Sequence, residues 1–273
     1  MNGELLRKST KTAVLAASLS LVTASAAAAA PAQDAPMALG TQASLSLASY
    51  YANPPLGTTT LNGVTFTTGS AVVLGNGAQA SYALSYKNPN KVYLLLNSAN
   101  TSFWYDGNTV GRVSLTFDNG ATQNVDLVVG SNLREWAFGT DWTVDSLYDT
   151  TNASNWWTGT RADDPSIAAG LDMLAVPVSS ANSSATLTGV TVANTDDWGS
   201  LEIRLAGLSV EYTPAATVSR PGNSCNTPAL QNSQAPSNAS STIFNPTGAT
   251  QGTSTKAGTA GTNGALNALR PCN

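Results

Sequence analysis

The chain has 273 residues, a formal net charge of −4 and only 10% charged residues, and it contains no histidine. Without histidine it cannot form a Ser-His-Asp triad, a Cys-His pair or a His-ligated metal centre. Beyond the N-terminal segment there is no cluster of Lys and Arg with which to neutralise phosphates, so we expect no nucleic-acid partner.

Residues 1–32 have the pattern of a secretory signal peptide. Basic residues lie within the first eleven positions, residues 13–22 are apolar but too few to span a bilayer, and the small residues Ala30 and Ala32 precede Gln33. The pattern predicts an exported protein that is extracellular, held at the cell surface or periplasmic, and that does not span the membrane.

Residues 33–44 are predicted to be a linker, and residues 45–213 a single β-sandwich domain. Short runs rich in Val, Leu, Thr and Tyr alternate with turn sequences such as LNG, KNPN and DNG, and no stretch has a convincing helical stripe. Many short strands with regular turns favour a sandwich or a barrel. The predicted strands are residues 60–66, 71–74, 79–86, 91–97, 109–117, 123–129, 173–178, 185–192 and 201–212.

The strongest local prediction is a β-hairpin around residues 118–120. Apolar and polar residues alternate through residues 113–117 and again on the returning strand, so that one face of each is buried. The turn sequence Asp-Asn-Gly between them tolerates the positive φ of a tight turn. Near the end of the domain, Gly207 interrupts the alternation of residues 201–212, which predicts a β-bulge.

Residues 214–273 are predicted to be a low-complexity tail. The segment has almost no hydrophobic periodicity and cannot bury enough apolar surface to offset the entropy of ordering it. Cys225 and Cys272 are the two cysteines of the chain, and export would favour a disulfide between them; the alternative is two free thiols. The tail serves either as a spacer or as a segment that attaches the protein to the cell envelope.

The stretch from residue 91 to residue 136 resembles galactose-binding-like β-sandwiches, the jelly rolls found as carbohydrate-binding modules in secreted bacterial proteins. An apolar run at residues 92–96 ends in Asn97 and leads into an aromatic loop. A V-G-x-V-x-x-x-F-x-D/N-G hairpin follows, and then the run LVVGSNLREW. The resemblance implies an all-β jelly roll, a glycan as ligand and, in many such domains, a structural calcium ion.

Aromatic side chains with polar neighbours supply the predicted glycan site. Sugar rings stack on aromatic faces while Asp, Asn and Arg bind the hydroxyl groups, and loops at the end of a sandwich suit this purpose. The alternative is that the tryptophans close the ends of the core. The candidate ligand-binding residues are Trp156, Trp157, Arg161, Asp163, Asp164, Trp104, Tyr105 and Trp198.

Trp156 and Trp157 stand side by side in a stretch, residues 152–165, that shows neither strand nor helix periodicity. This indicates a loop. Because an extended backbone sends neighbouring side chains to opposite sides, we expect one ring to pack inward and the other to face outward.

The acidic residues allow two further hypotheses. Asp141, Asp145 and Asp149 are candidate calcium ligands, since calcium prefers carboxylate and carbonyl oxygens. Paired aspartates could also serve a glycoside hydrolase, which needs two carboxyl groups. The favoured prediction is a secreted or surface-held, non-catalytic module that binds a glycan or cell-wall polysaccharide. The leading alternative is a structural cell-envelope or surface-layer protein that packs against partner chains.

Overall fold

The computed structural model describes residues 30–215, which form an all-β fold of antiparallel strands. The predicted all-β class is confirmed. Residues 1–29 and the tail from residue 216 onward lie outside the described residues, and with them most of the predicted signal peptide and both Cys225 and Cys272. No helix within the described residues has the length and apolar character needed to cross a membrane.

The strands lie in two principal sheets and one separate hairpin. In chain order they are β1 (Gln33–Met37), β2 (Leu45–Ser46), β3 (Tyr51–Ala52), β4 (Gly57–Leu61), β5 (Val64–Thr68), β6 (Ser70–Leu74), β7 (Gln79–Lys87), β8 (Pro89–Ala99), β9 (Thr109–Phe117), β10 (Thr122–Val128), β11 (Ala153–Arg161), β12 (Ala168–Pro177), β13 (Thr186–Asn194) and β14 (Glu202–Tyr212).

An eight-stranded sheet and a four-stranded sheet enclose the main core. The larger sheet has the order β2-β6-β14-β8-β12-β11-β3, with β1 also paired to β14, and the smaller has the order β10-β9-β13-β7. Buried side chains from both sheets form one hydrophobic cluster, to which β8 contributes Leu94, β9 Leu115 and β13 Val190. This arrangement is a β-sandwich.

The central strand β8 is buried on both faces. Val92, Leu94 and Leu96 join the core between the sheets, whereas Tyr93 and Leu95 join a second cluster on the outer face of the larger sheet. The β4–β5 hairpin supplies part of that second cluster. A nearly continuous apolar run is what a strand covered on both faces requires.

The predicted hairpin and bulge are both confirmed. Strands β9 and β10 pair with Val113 opposite Val125, and Gly120 in the turn has a φ of +80°. In β14 the pairing with β8 shifts register between Leu205 and Gly207. A side chain at Gly207 would meet the rings and methyl groups packed on the outer face.

The predicted linker is wrong over residues 33–37, which form β1 and pair with β14 from Gln33 opposite Tyr212 to Met37 opposite Leu208. On that side of β14, strand β6 pairs only with residues 203–205, so the rest of the edge is open for β1. The segment was missed because it is short, polar and contains a proline, which sheets accept at an edge strand.

Other strand boundaries also differ from the sequence prediction, including that of β12, which begins at Ala168 and not at residue 173. Residues 60–66 were expected to be one strand, but Asn62 and Gly63 have φ values of 51° and 80° and turn the chain between β4 and β5. Positive φ at both positions of a two-residue turn is the geometry of a tight hairpin. The expected loop over residues 152–165 is largely strand β11, which pairs with β12.

Candidate functional site

Trp156 and Trp157 belong to an aromatic group packed on the outer face of the larger sheet. We call this group, Tyr51, Phe66, Trp136, Trp156 and Trp157, the inner aromatic cluster. Trp156 is 2% exposed, and its ring lies 5.3 Å from Phe66 in an edge-to-face arrangement. Its indole Nε1 donates to the carbonyl of Leu61 at 3.1 Å. The Trp156 ring is therefore a packing element and offers no free face to a ligand.

The expectation that the two adjacent tryptophans point to opposite sides is wrong. The β11–β12 pairing is irregular between Asn155 and Trp157, which makes Trp156 the extra residue of a β-bulge. The bulge resets the alternation of side chains, so both rings reach the same cluster. Trp157 is half-buried, with its ring 5.6 Å from Tyr51 and against Gly159, where a Cβ atom would overlap it.

A second aromatic group lies at the surface, in loops at one end of the sandwich. We call Phe103, Trp104, Trp142 and Trp198 the outer aromatic ridge; their exposed fractions run from 51% for Trp104 to 71% for Trp142. The ring of Phe103 lies 5.2 Å from that of Trp104 and 6.0 Å from that of Trp142. Within residues 30–215, the exposed large apolar side chains outside the ridge are Leu56 and Tyr148.

Tyr105 is the buried anchor of the ridge. Its ring stacks on Trp198 with 5.1 Å between centroids and an angle of 24°, and its other neighbour is Trp104 at 6.2 Å. The Tyr105 hydroxyl donates to a carboxylate oxygen of Asp196 at 3.3 Å and to the carbonyl of Trp198 at 3.2 Å. Burial raises the pKa of this hydroxyl and keeps it a donor. The predicted candidates Trp104, Tyr105 and Trp198 are thus neighbours, with Tyr105 in a supporting position.

The loop that carries Trp198 is held by side chains from two other loops, which follow β6 and β8. The amide of Asn76 donates to the carbonyl of Gly199 at 3.1 Å, and that of Asn100 donates to the carbonyl of Ser200 at 2.9 Å. Gly199 has a φ of +76°, and a Cβ atom there would collide with the Tyr105 hydroxyl. The position of Trp198 therefore depends on glycine at its neighbour.

The loop that carries Trp142 is tied to a short 3-10 helix, Phe103–Tyr105, which carries two rings of the ridge. The backbone amide of Phe103 donates to the carbonyl of Trp142 at 3.0 Å. Asp145 accepts a hydrogen bond from the amide of Gly139 at 2.8 Å, which closes the same loop. Phe103 and Trp142 were not among the residues selected from the sequence, because only the fold shows that their loops meet.

The three predicted calcium ligands do not form a metal-holding group. Asp149 accepts hydrogen bonds from the backbone and side-chain amides of Asn152, Asp145 binds Gly139, and Asp141 is exposed. In the described part of the chain, no three His, Cys, Asp or Glu residues are grouped so that they could hold a metal ion. Asp145 and Asp149 instead act as hydrogen-bond acceptors that shape turns.

A polar cleft adjoins the ridge. It has a volume of about 380 Å³ and is lined by Tyr50, Ala99, Asn100, Glu135, Trp136, Ala137, Thr140, Thr143, Arg161 and Arg204. Thr143 follows Trp142 in the chain, and Asn100 holds the Trp198 loop, so the cleft and the ridge share the same end of the sandwich. Small-molecule sites typically measure roughly 300–1,000 Å³, and the cleft falls within that range.

Glu135 is the buried carboxylate of the cleft, with 5% of its surface exposed. One of its oxygens, Oε2, accepts a hydrogen bond from the backbone amide of Thr101 at 2.9 Å. Burial raises the pKa of Glu135, while that hydrogen bond and the charges of Arg204 and Arg161 act in the opposite direction. Nothing in the run LREW marks this residue as functional, and the sequence analysis did not select it.

The predicted residues Arg161, Asp163 and Asp164 lie near the end of β11. Arg161 lines the cleft and pairs with Asp163 at 2.6 Å, an interaction that lowers the pKa of that aspartate. Asp164 accepts hydrogen bonds from the amide and hydroxyl of Ser166, which lower its pKa and close the turn. Neither aspartate lines the cleft, so Arg161 alone of the three is positioned there.

A buried ion pair supports the loops behind the cleft. The guanidinium of Arg134 donates to both carboxylate oxygens of Asp172, at 2.7 and 2.8 Å. The amides of Asn97 and Asn155 donate to the same carboxylate, and Arg134 also reaches the carbonyl of Asp145. With every partner satisfied, this network serves to fix strands and loops in place.

No protein-family model, curated protein or solved structure matches this chain. The resemblance to galactose-binding-like domains therefore rests on the sequence pattern alone, and the β-sandwich is the level at which the structure supports it.

Proposed function

We propose that this protein is an exported, non-catalytic module that binds a glycan through the outer aromatic ridge. The observation that carries the proposal is the row of Phe103, Trp104, Trp142 and Trp198, four exposed aromatic rings brought together at one end of the sandwich. Phe103 contacts both Trp104 and Trp142, and Trp198 joins them through the buried Tyr105. A concentration of large exposed apolar side chains marks an interaction site.

The ridge suits a sugar chain because its rings are held in place before a ligand arrives. The stacked Tyr105 and the hydrogen bonds to the Trp198 and Trp142 loops limit the freedom of the rings. A site that is ordered in advance loses less entropy on binding. Aromatic faces cover the C–H faces of pyranose rings, and exposed polar residues nearby, such as Asn108 and Asp197, can bind hydroxyl groups.

In the polar cleft beside the ridge, the carboxylates favour binding over hydrolysis. Glycoside hydrolysis uses two carboxyl groups on either side of one bond. Among the described residues that line the polar cleft, Glu135 is the one carboxylate, and the Asp163 carboxylate is engaged by Arg161. A structural envelope role would use the same ridge as a protein contact, and the test below separates the two.

The test is a glycan and cell-wall polysaccharide binding screen of the purified protein, run beside the double variant Trp104→Ala, Trp198→Ala. A matched control is Tyr148→Ala, which removes an exposed aromatic ring outside the ridge. We expect the control to bind as wild type does and the folded double variant to lose binding. Adding EDTA reports on the predicted calcium. If the folded wild type binds no polysaccharide and instead co-purifies with envelope proteins, the structural alternative replaces the proposal.

A further inference from the structure

The polar cleft is lined by charged side chains, whereas the four side chains of the outer aromatic ridge are uncharged. Its lining contains the guanidinium groups of Arg161 and Arg204 and the carboxylate of Glu135, so two positive charges face one negative charge. Asp163 and Glu202 neutralise the two arginines from outside the lining, and the Asp163 side chain is 66% exposed and screened by water. With Glu135 counted as well, three carboxylates surround the two arginines, so the cleft has no excess of positive charge. What it offers an anion is the set of hydrogen-bond donors that the two guanidinium groups leave unused.

Both arginines keep hydrogen-bonding capacity for a ligand. Arg161 donates from Nε and Nη2 to Asp163, and Arg204 donates from Nε and Nη2 to Glu202. Within residues 30–215, the Nη1 group of each makes no hydrogen bond. Two guanidinium groups with donors to spare are suited to a planar anionic group such as a carboxylate.

The aromatic ring in the cleft does not favour simple sugar stacking. Trp136 is largely buried, and the guanidinium carbons of Arg161 and Arg204 lie 5.5 and 5.6 Å from its ring centre. Arg204 also lies 4.5 Å from the ring centre of Tyr50. The aromatic rings thus hold the two guanidinium groups in position. A ligand in the cleft would contact these charged groups before it reached the Trp136 ring.

We propose that the polar cleft binds the carboxylate of a uronic acid residue, in a polysaccharide whose neighbouring sugars lie on the outer aromatic ridge. This inference deepens the proposed function and rests on it. Arg161 and Arg204 would donate to the ligand carboxylate, and Thr140 and Thr143 are placed to bind ring hydroxyls. Glu135 would oppose the ligand, because its carboxylate carries the same charge.

The experiment is calorimetric titration of the purified chain with a galacturonic acid trimer and with its methyl ester, which has the same rings without the charge. We expect the ester to bind at least tenfold more weakly than the acid. Arg161→Gln should weaken binding of the acid roughly tenfold or more, since it removes a charge-assisted hydrogen bond. Lys87→Gln removes an exposed positive charge outside the cleft and should leave binding unchanged.

Glu135→Gln is the sharpest variant, because it keeps the shape and the acceptor for the Thr101 amide while removing the charge. For an anionic ligand it should tighten binding, by roughly three- to tenfold for a like charge about 5 Å away. If it weakens binding instead, the cleft recognises neutral hydroxyls through Glu135 and the inference is wrong.

The ridge variant separates this inference from the proposed function. Equal binding of acid and ester, lost in Trp104→Ala, Trp198→Ala but kept in Arg161→Gln, overturns the uronate inference and leaves glycan binding standing. If the single sugar methyl galacturonoside binds, and still binds to the ridge variant, the result supports uronate binding in the cleft independently of the ridge. Absence of binding to any glycan tested overturns both.

Discussion

The inner aromatic cluster and the outer aromatic ridge contain the same kinds of side chain in opposite roles. Trp156 is 2% exposed and Trp142 is 71% exposed, although both follow polar, turn-like sequence. The difference lies in the backbone. Trp156 belongs to a hydrogen-bonded strand whose bulge turns its ring onto the sheet, whereas Trp142 belongs to a loop fastened at its ends and open to solvent.

The comparison teaches that exposure of a tryptophan is set by what covers its ring. The β4–β5 hairpin covers Trp156 and accepts its indole hydrogen bond, so that ring has both apolar contact and a polar partner. The ridge has a buried anchor, Tyr105, but nothing within the described residues covers the outer faces of its rings. Substitutions in the two regions should therefore affect different measurements.

Trp156→Ala should have the largest effect on stability. The substitution leaves a large cavity in a packed cluster, which typically costs about 3–5 kcal/mol of the free energy of unfolding. Trp104→Ala removes an exposed ring and should change stability by no more than about 0.5 kcal/mol. Urea unfolding of the two variants measures both values. Similar losses in the two would contradict the division into inner cluster and outer ridge.

The loss of a buried ion pair should lower the free energy of unfolding far more than the loss of an exposed one. Arg134→Ala leaves Asp172 buried without its partner, which should cost about 3–5 kcal/mol. Arg112→Ala breaks a pair whose side chains are both about half exposed and should cost less than about 1 kcal/mol. Chemical denaturation of both variants provides the comparison. A mild effect of Arg134→Ala would show that water reaches Asp172.

Gly199→Ala tests whether the ridge depends on its supporting turn. The positive φ alone should cost about 1–2 kcal/mol. Gly120→Ala is the control, since its φ of +80° is similar but its Cβ atom would have open space. Both variants should lose similar stability from the backbone. Only Gly199→Ala should also weaken glycan binding, because its methyl group displaces Tyr105 and the stacked Trp198. Equal glycan binding by the two variants would show that the ridge does not depend on the turn at Gly199.

Glu135→Gln should produce the smallest change, visible as a pH dependence. Burial raises the pKa of Glu135, so the folded chain holds this proton more tightly than the unfolded chain does. Its contribution to stability is therefore full below the ordinary pKa of a glutamate and is lost as pH rises through the raised value. The difference in free energy of unfolding between variant and wild type, measured from about pH 4 to pH 7, should shift in favour of the variant as pH rises. A difference that is flat with pH would mean that Glu135 titrates normally.

The sequence predicted the regular parts of this fold and missed the parts that depend on distant partners. Residues 109–117 were predicted as a strand with the observed bounds, because alternation and a tight turn are local signals. Strand β11 was missed because its bulge breaks the alternation, and β1 because its pairing with β14 cannot be read from a short polar segment.

For the candidate site, the type of residue identified some of its members, but the sequence did not show which distant residues come together. Trp104 and Trp198 were selected as exposed aromatic candidates, and the structure places both on the ridge. Glu135 and Arg204 come from separate segments that meet only in the folded sheet, so no spacing in the sequence connects them. The topology alone brings a buried carboxylate and two arginines to the lining of one cleft.

The chain enters the sandwich at Gln33 and leaves it at Tyr212, and these two residues lie opposite each other in the β1–β14 pair. The other end of β14 begins at Glu202, opposite Ala99, where the polar cleft and the ridge are built. Strand β14 has eleven residues, and the ten steps between its ends span about 33 Å at the usual rise. The segments that precede Gln33 and follow Tyr212 therefore join the sandwich at the opposite end of β14 from the cleft and the ridge.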